Sequence, residues 1–84
     1  MAETAEQITA HFSAMDDSVT LINEIVADDT EAKLHATAAE VKLMITRNTD
    51  HLEIQAAKDW YIASSKTKTS YTNAVTAGKA YVAS

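Results

Sequence analysis

At 84 residues, with 46% hydrophobic side chains and a net charge of −5, the sequence describes one small folded helical domain over 1–84. The absence of Cys excludes disulfides and thiolate metal sites, and a single Gly, Gly78, excludes a Gly-rich phosphate cradle. No apolar run nears the ~20 residues of a membrane span, and the acidic MAETAE opening lacks the basic-then-apolar profile of a signal peptide.

The first element runs over 3–27. Ala5, Ile8, Phe12, Met15, Val19, Ile22 and Val26 recur at alternating spacings of three and four, a heptad seam that presents a narrow apolar stripe to another helix. Leu21 and Ile25 widen that stripe towards its end. Thr4 followed by Gln7 has the form of a capping box, and Glu3 and Glu6 suit the positive end of the helix dipole. Phe12 and Met15 are seam residues, not the walls of a cofactor pocket. Asp28 and Asp29 are unfavourable at a helix C-terminus, so the helix ends near Ala27. Asp29 or Thr30 then caps a second helix, and so short a connection makes the two helices antiparallel.

The second helix spans 31–61. Leu34, Ala38, Val41, Ile45, Asn48 and Leu52 continue the seam, with Met44 on its flank. Two readings of its middle compete: one continuous helix, or a stop near Asn48 and a restart at Asp50 with Glu53 completing a capping box. Unbroken phase and the absence of Gly or Pro favour continuity. A continuous helix puts Asn48 in the seam, together with Gln55 on one reading, as a polar residue that costs stability and fixes register.

Residues 64–70, Ser-Ser-Lys-Thr-Lys-Thr-Ser, contain no apolar side chain and read as a solvated loop. A short final helix follows over 71–82, capped by Thr69 or Ser70. Ala74 and Gly78 give it a small-residue face suited to close approach, and Tyr81 and Val82 anchor it. Gly78 alternatively marks a cap or a frayed end. The fold class is therefore all-α: an antiparallel helical hairpin plus a short C-terminal helix. A chain this small has a thin stability margin, which favours an oligomer or docking on a larger assembly.

Charge is unevenly spread. Residues 1–31 carry eight acids and no Lys or Arg, while 32–84 carry all seven basic residues and a net +3. Such a chain lacks the dense basic face of a nucleic-acid binder. It suits contacts between unlike ends, within the chain or between copies.

Catalytic patterns are missing. His11, His35 and His51 form no His-Glu-x-x-His or Glu-x-x-His pair, and the Glu31–His35 pair, one turn apart, is too common by chance to mark a metal site. Adjacent acids such as Asp16 and Asp17 diverge by about 100° on a helix instead of converging. The sequence thus predicts no catalytic residue, no cofactor, no metal and no small-molecule substrate. Candidate interface residues are the only Arg, Arg47, with Asn48, His51, Trp60, Tyr61 and Tyr81. Arg47 shares a face with His51 and is spaced to pair with Asp50. Trp60 either closes the core or marks an interface.

RNTDHLEIQAAKDW (47–60) and YTNAVTAGKAYVA (71–83) together resemble a group of short helical proteins of uncharacterised function encoded by tailed bacteriophages, especially aquatic ones. The stretch from Ile8 to Val26, with His11, Asp17, Ser18, Leu21, Asn23, Glu24 and Ile25, is similar in character. The likeness covers about half the chain, which departs from the pattern in its longer Ser/Thr/Lys run. It assigns no functional residue. It implies a setting: a virion, assembled in the host cytoplasm, where such proteins serve as cement, neck, tail or fibre-associated subunits. The expected partners are copies of the chain or larger phage structural proteins, with no direct nucleic-acid or membrane contact. The alternative is a small acidic inhibitor of a host nucleic-acid-binding protein, resembling a DNA mimic.

Overall fold

A computed structural model describes residues 3–59 and 62–84, and among these the regular structure is four α-helices. Helix α1 spans Ala5–Ala27. Its start is the capping box expected from sequence: Gln7 N donates to Thr4 Oγ1 at 3.1 Å and Thr4 N donates to Gln7 Oε1 at 2.8 Å. Asp28 ends it in extended backbone, its N–H still bonded to Glu24 O. The Asp28 carboxylate then turns forward, accepting from Thr30 N at 3.0 Å and Thr30 Oγ1 at 2.6 Å. That turn launches α2, Thr30–His35, for which the side chain of the N-cap residue Asp29 makes no capping bond.

The single helix expected over 31–61 is two. Ala36 adopts an extended conformation after α2, and α3 restarts at Ala38 and runs to Asp59. Thr37 and Glu40 form a reciprocal capping box, Glu40 N to Thr37 Oγ1 and Thr37 N to Glu40 Oε1, both 3.1 Å. Two backbone amides that would be orphaned by the break are satisfied there. Leu34 and Ala38, placed in the seam by periodicity, are both exposed. The stretch through Asn48 and Asp50 is continuous helix.

The expected loop over 64–70 is the N-terminal part of α4, Ser65–Ala83. Ser64 is its cap, accepting from Thr67 N at 3.1 Å. Ser and Thr cost only a few tenths of a kcal/mol each in a helix interior. Packing of the turns beyond outweighs that.

Contacts between the long helices fix their directions. Asp16 meets Tyr71, Asp29 meets Tyr81, and Ile22 lies beside Gly78, so α4 runs parallel to α1. Ser18 meets His51 while Ile22 and Ile45 converge at Gly78, so α3 is antiparallel to α1. The result is a hairpin with the C-terminal helix laid against both arms, 41 × 21 × 16 Å. The core lies along the common axis. From α1 come Met15, Val19, Ile22 and Ile25; from α3, Val41, Ile45 and Leu52; from α4, Tyr71 and Ala74. Gly78 is buried at the crossing, where a Cβ would meet Ile45 Cγ2 at 3.2 Å and Ile22 Cγ2 at 3.4 Å and would overlap Thr49 Cγ2. The small residue is there for close approach, not as a cap.

Candidate assembly surface

Several polar side chains able to do chemistry are occupied in holding helices together. Ser18 Oγ and His51 Nδ1 hydrogen-bond at 2.9 Å, joining α1 to α3 through a nearly buried serine. The Tyr71 hydroxyl, on a side chain 2% exposed, donates to Asp16 Oδ1 at 3.1 Å. Burial, and then the carboxylate it bonds, push that phenol well above its ordinary pKa. At the α1–α2 corner Asp29 Oδ2 accepts from the Tyr81 hydroxyl at 2.8 Å and from Lys33 Nζ at 2.9 Å. The bonds from Lys33 and Tyr81 hold the Asp29 carboxyl below the usual carboxylate range, and Asp29 in turn raises both partners. Lys79 pairs with Glu53 at 2.8 Å, and Lys42 Nζ donates to Ser84 O. These groups are dispersed along the bundle. Among the described residues none of the His, Asp and Glu side chains gather in threes around a point that could hold a metal ion.

Of the interface candidates, His51 and Tyr81 are half-buried in the contacts just described. Trp60 and Tyr61 lie outside the described residues, as does the side chain of Gln55. Asn48 is half-buried and donates through Nδ2 to Met44 O of its own helix at 2.8 Å. It is therefore not a buried register marker. The polar residue inside the bundle at this level is Thr49, 3% exposed, whose hydroxyl donates to Thr46 O at 2.8 Å. A threonine methyl faces Gly78 while its hydroxyl is satisfied by the helix, so this site carries no unpaired group.

Arg47 is exposed and belongs to a different face. Val41, Ile45 and Leu52 point α3 inward. Opposite them Leu43, Arg47, Asp50 and Ile54 follow one another at spacings of four, three and four, and all four are exposed. At about 100° per residue they fall within roughly 60° of one another, a straight ridge about 16 Å long. Leu43 is 47% exposed and Ile54 61% exposed, and on the neighbouring α2 Leu34 is 76% exposed. Open grooves flank the ridge. One is lined by Ala36, Glu40, Leu43, Met44, Arg47 and Asn48, and the other, towards α4, by Thr46, Thr49, Asp50, Lys79, Val82 and Ala83. Isolated surface leucines are ordinary, but aligned ones bracketing an opposite-charge pair have the composition of a helix-packing seam.

This second stripe has a sequence signal of its own. The four-three-four spacing of Leu43, Arg47, Asp50 and Ile54 is as regular as that of the inward seam, but charged residues occupy its middle and hide it from a search for apolar periodicity. The chain matches no protein-family model, no curated protein and no solved structure.

Proposed function

We propose that this chain is a virion-associated structural or assembly protein of a bacteriophage, a cement, neck, tail or fibre-associated subunit that acts through helix-mediated protein contacts. The observation that carries the reading is the outward ridge of α3, where Leu43 and Ile54 stay in solvent although the same helix buries Val41, Ile45 and Leu52 completely. Exposing large apolar side chains in line on so small a surface, 5526 Å² in all, is what a chain that docks through a helix face does. The phage setting rests on the likeness of residues 47–60 and 71–83 to short proteins of tailed phages. The dispersal of His51, Asp16, Asp29 and Glu53 into separate inter-helix bonds supports a binding role over a catalytic one.

A direct test is quantitative mass spectrometry of purified particles from the source phage, with and without Leu43→Glu. The wild-type chain is expected at a fixed stoichiometry and the variant at a several-fold lower one. Absence of the wild-type chain from particles would sink the reading.

A second reading, the acidic inhibitor of a host nucleic-acid-binding protein, draws on the outer face of α1. Glu6, Asp17 and Glu24 are exposed there on one side of a helix that carries no Lys or Arg. Their spacing counts against it. Duplex DNA carries a charge about every 1.7 Å of its axis, whereas these carboxylates are separated by about 10 Å or more. Salt-sensitive capture of a basic host protein from lysate would favour the inhibitor over the virion subunit.

A further inference from the structure

The spacing of the α3 ridge reads the same in both directions, with its two central charges inverted. Leu43, Arg47, Asp50 and Ile54 are arranged symmetrically about the point between Asn48 and Thr49, which is also the midpoint of the 22-residue helix Ala38–Asp59. We propose that the ridge is a homodimer interface: two copies pack α3 against α3 antiparallel about a two-fold axis through that midpoint. This deepens the assembly reading above by naming the occupant of the same surface, and it stands or falls by a different experiment.

The geometry follows from the numbering. In an antiparallel pair related by a two-fold, residue i of one copy faces the residue of the other copy that is equally far from the axis on the opposite side. Leu43 then faces Ile54 of the second copy, and Arg47 faces its Asp50; the same pairs recur on the other side of the axis. Every position on the ridge meets a chemically matched one. Apolar pairs close the two ends, and opposite charges pair twice at the centre. The alternation of four and three is that of a coiled-coil seam, in which antiparallel helices stack unlike seam positions in layers. Because the axis bisects α3, the two helices overlap over their full length of about 33 Å.

Other occupants fit less well. A parallel pair would set Arg47 against Arg47 and Asp50 against Asp50, which repel. A larger partner of unrelated sequence has no reason to require a palindromic ridge, whereas a two-fold interface must be self-complementary. The charged centre also gives the interface its register. A slide by one turn would bury Arg47 or Asp50 against Leu43 or Ile54 with no counter-charge, and an unpaired charge costs far more than the pair contributes. A standard interface covers about 800 Å² per partner, roughly one-seventh of this chain's surface.

The chain has no Cys, which permits a clean cross-linking test alongside charge reversal. Sedimentation equilibrium of the wild-type chain is expected to show a monomer–dimer equilibrium. Arg47→Asp or Asp50→Arg alone sets like charges together at both central layers and is expected to weaken the dimer roughly tenfold or more. The double swap restores both pairs and should return the dissociation constant to within about threefold of wild type. Circular dichroism of each variant separates loss of dimer from loss of fold. For direction, Leu43→Cys and Ile54→Cys are prepared singly. Mixed under oxidised glutathione they are expected to form a 43–54 disulfide heterodimer, while neither alone cross-links, because in the proposed pair like positions lie about 16 Å apart and a disulfide needs less than about 7 Å. Cross-linking of each variant with itself would overturn the antiparallel pair. A wild-type chain that stays monomeric at millimolar concentration would overturn the dimer altogether. If that monomer were still incorporated into particles, the assembly reading would stand and a larger protein would be the occupant of the ridge.

Discussion

Replacing Gly78 by Ala sets two known effects against each other. On an open helix surface the change would stabilise α4 by about 1 kcal/mol, because Ala is the best helix former and Gly among the worst. Here the new methyl points at the crossing of three helices. It would overlap Thr49 Cγ2 and sit 3.2 Å from Ile45 Cγ2 and 3.4 Å from Ile22 Cγ2. All three neighbours are β-branched, so their χ1 angles have little room to turn away within a helix. Overpacking of this kind costs about 1–3 kcal/mol, and the rigidity of the neighbours puts it in the upper half of that range. The net expectation is a loss of about 1–2 kcal/mol, which in a domain of this size lowers the thermal midpoint by roughly 5–10 °C. Thr49→Ser removes the overlapped methyl and keeps the hydroxyl that bonds Thr46 O. Alone it should cost about 1 kcal/mol as a small cavity; combined with Gly78→Ala it should recover much of the loss, a coupling of about 1 kcal/mol or more. Thermal unfolding by circular dichroism on the four proteins of the cycle reads both numbers. A higher midpoint for Gly78→Ala alone, or additivity across the cycle, would refute the close approach of α4 to α3.

Three further expectations concern the polar contacts. Tyr71→Phe removes a hydroxyl bonded to the exposed Asp16 carboxylate while keeping the ring, so it should cost about 0.5–1.5 kcal/mol by thermal melt, much less than Tyr71→Ala. Thr37→Ala and Ser64→Ala each remove an N-cap and should cost about 1 kcal/mol apiece, additively, since they start different helices; Thr37→Gly should cost less than Thr37→Ala. The pH profile has a defined sense. Asp28, Asp29 and Glu40 have folded-state pKa values below their ordinary ones, so their contribution is present above about pH 4.5 and is lost as acid protonates them. Tyr71 and Tyr81 are shifted upward, so theirs is present below about pH 10 and is lost as the pH rises through the folded-state values. From these groups a melting midpoint that falls in acid below about pH 4.5 and in alkali above about pH 10 is expected, and Asp29→Asn should shrink the acid limb.

Sequence alone carried the large features because they depend on local patterning. The Thr4–Gln7 box, the end of α1 before two aspartates, the turn after it and the unbroken phase through Asn48 are all properties of residues close together in the chain. Two features escaped for opposite reasons. The break at Ala36 was hidden because Leu34, Ala38 and Val41 keep helical spacing across it, although Thr37 and Glu40 spell the capping box that restarts α3. The start of α4 was hidden because Ser and Thr have low helix propensity, although the same residue types make good caps, as Ser64 does. At the candidate surface Arg47 stood out as the only arginine, but Leu43 and Ile54 did not, since nothing local says that the other face of α3 is already filled by α1 and α4. That knowledge is tertiary. Likewise the choice between Asn48 and Thr49 as the inward polar residue turns on the rotation of the helix, which a seam spacing leaves open by one position.

The parallel pairing of α1 with α4 bears on how the chain folds. Its contacts span 52 to 55 residues, against 33 for the Ser18–His51 contact between α1 and α3. Closing the longer loop costs only about 0.5 kcal/mol more, because the entropy grows with the logarithm of length. That difference is smaller than the worth of one buried side chain, so chain connectivity imposes no order in which the helices must dock. Ile22 of α1 and Ile45 of α3 both converge on Gly78 of α4, so each docking event favours the next. Folding is expected as a single exponential phase in the microsecond-to-millisecond range of helical bundles, with no separate slow phase for α4. Stopped-flow or temperature-jump traces reported from α3 and from α4 should then coincide.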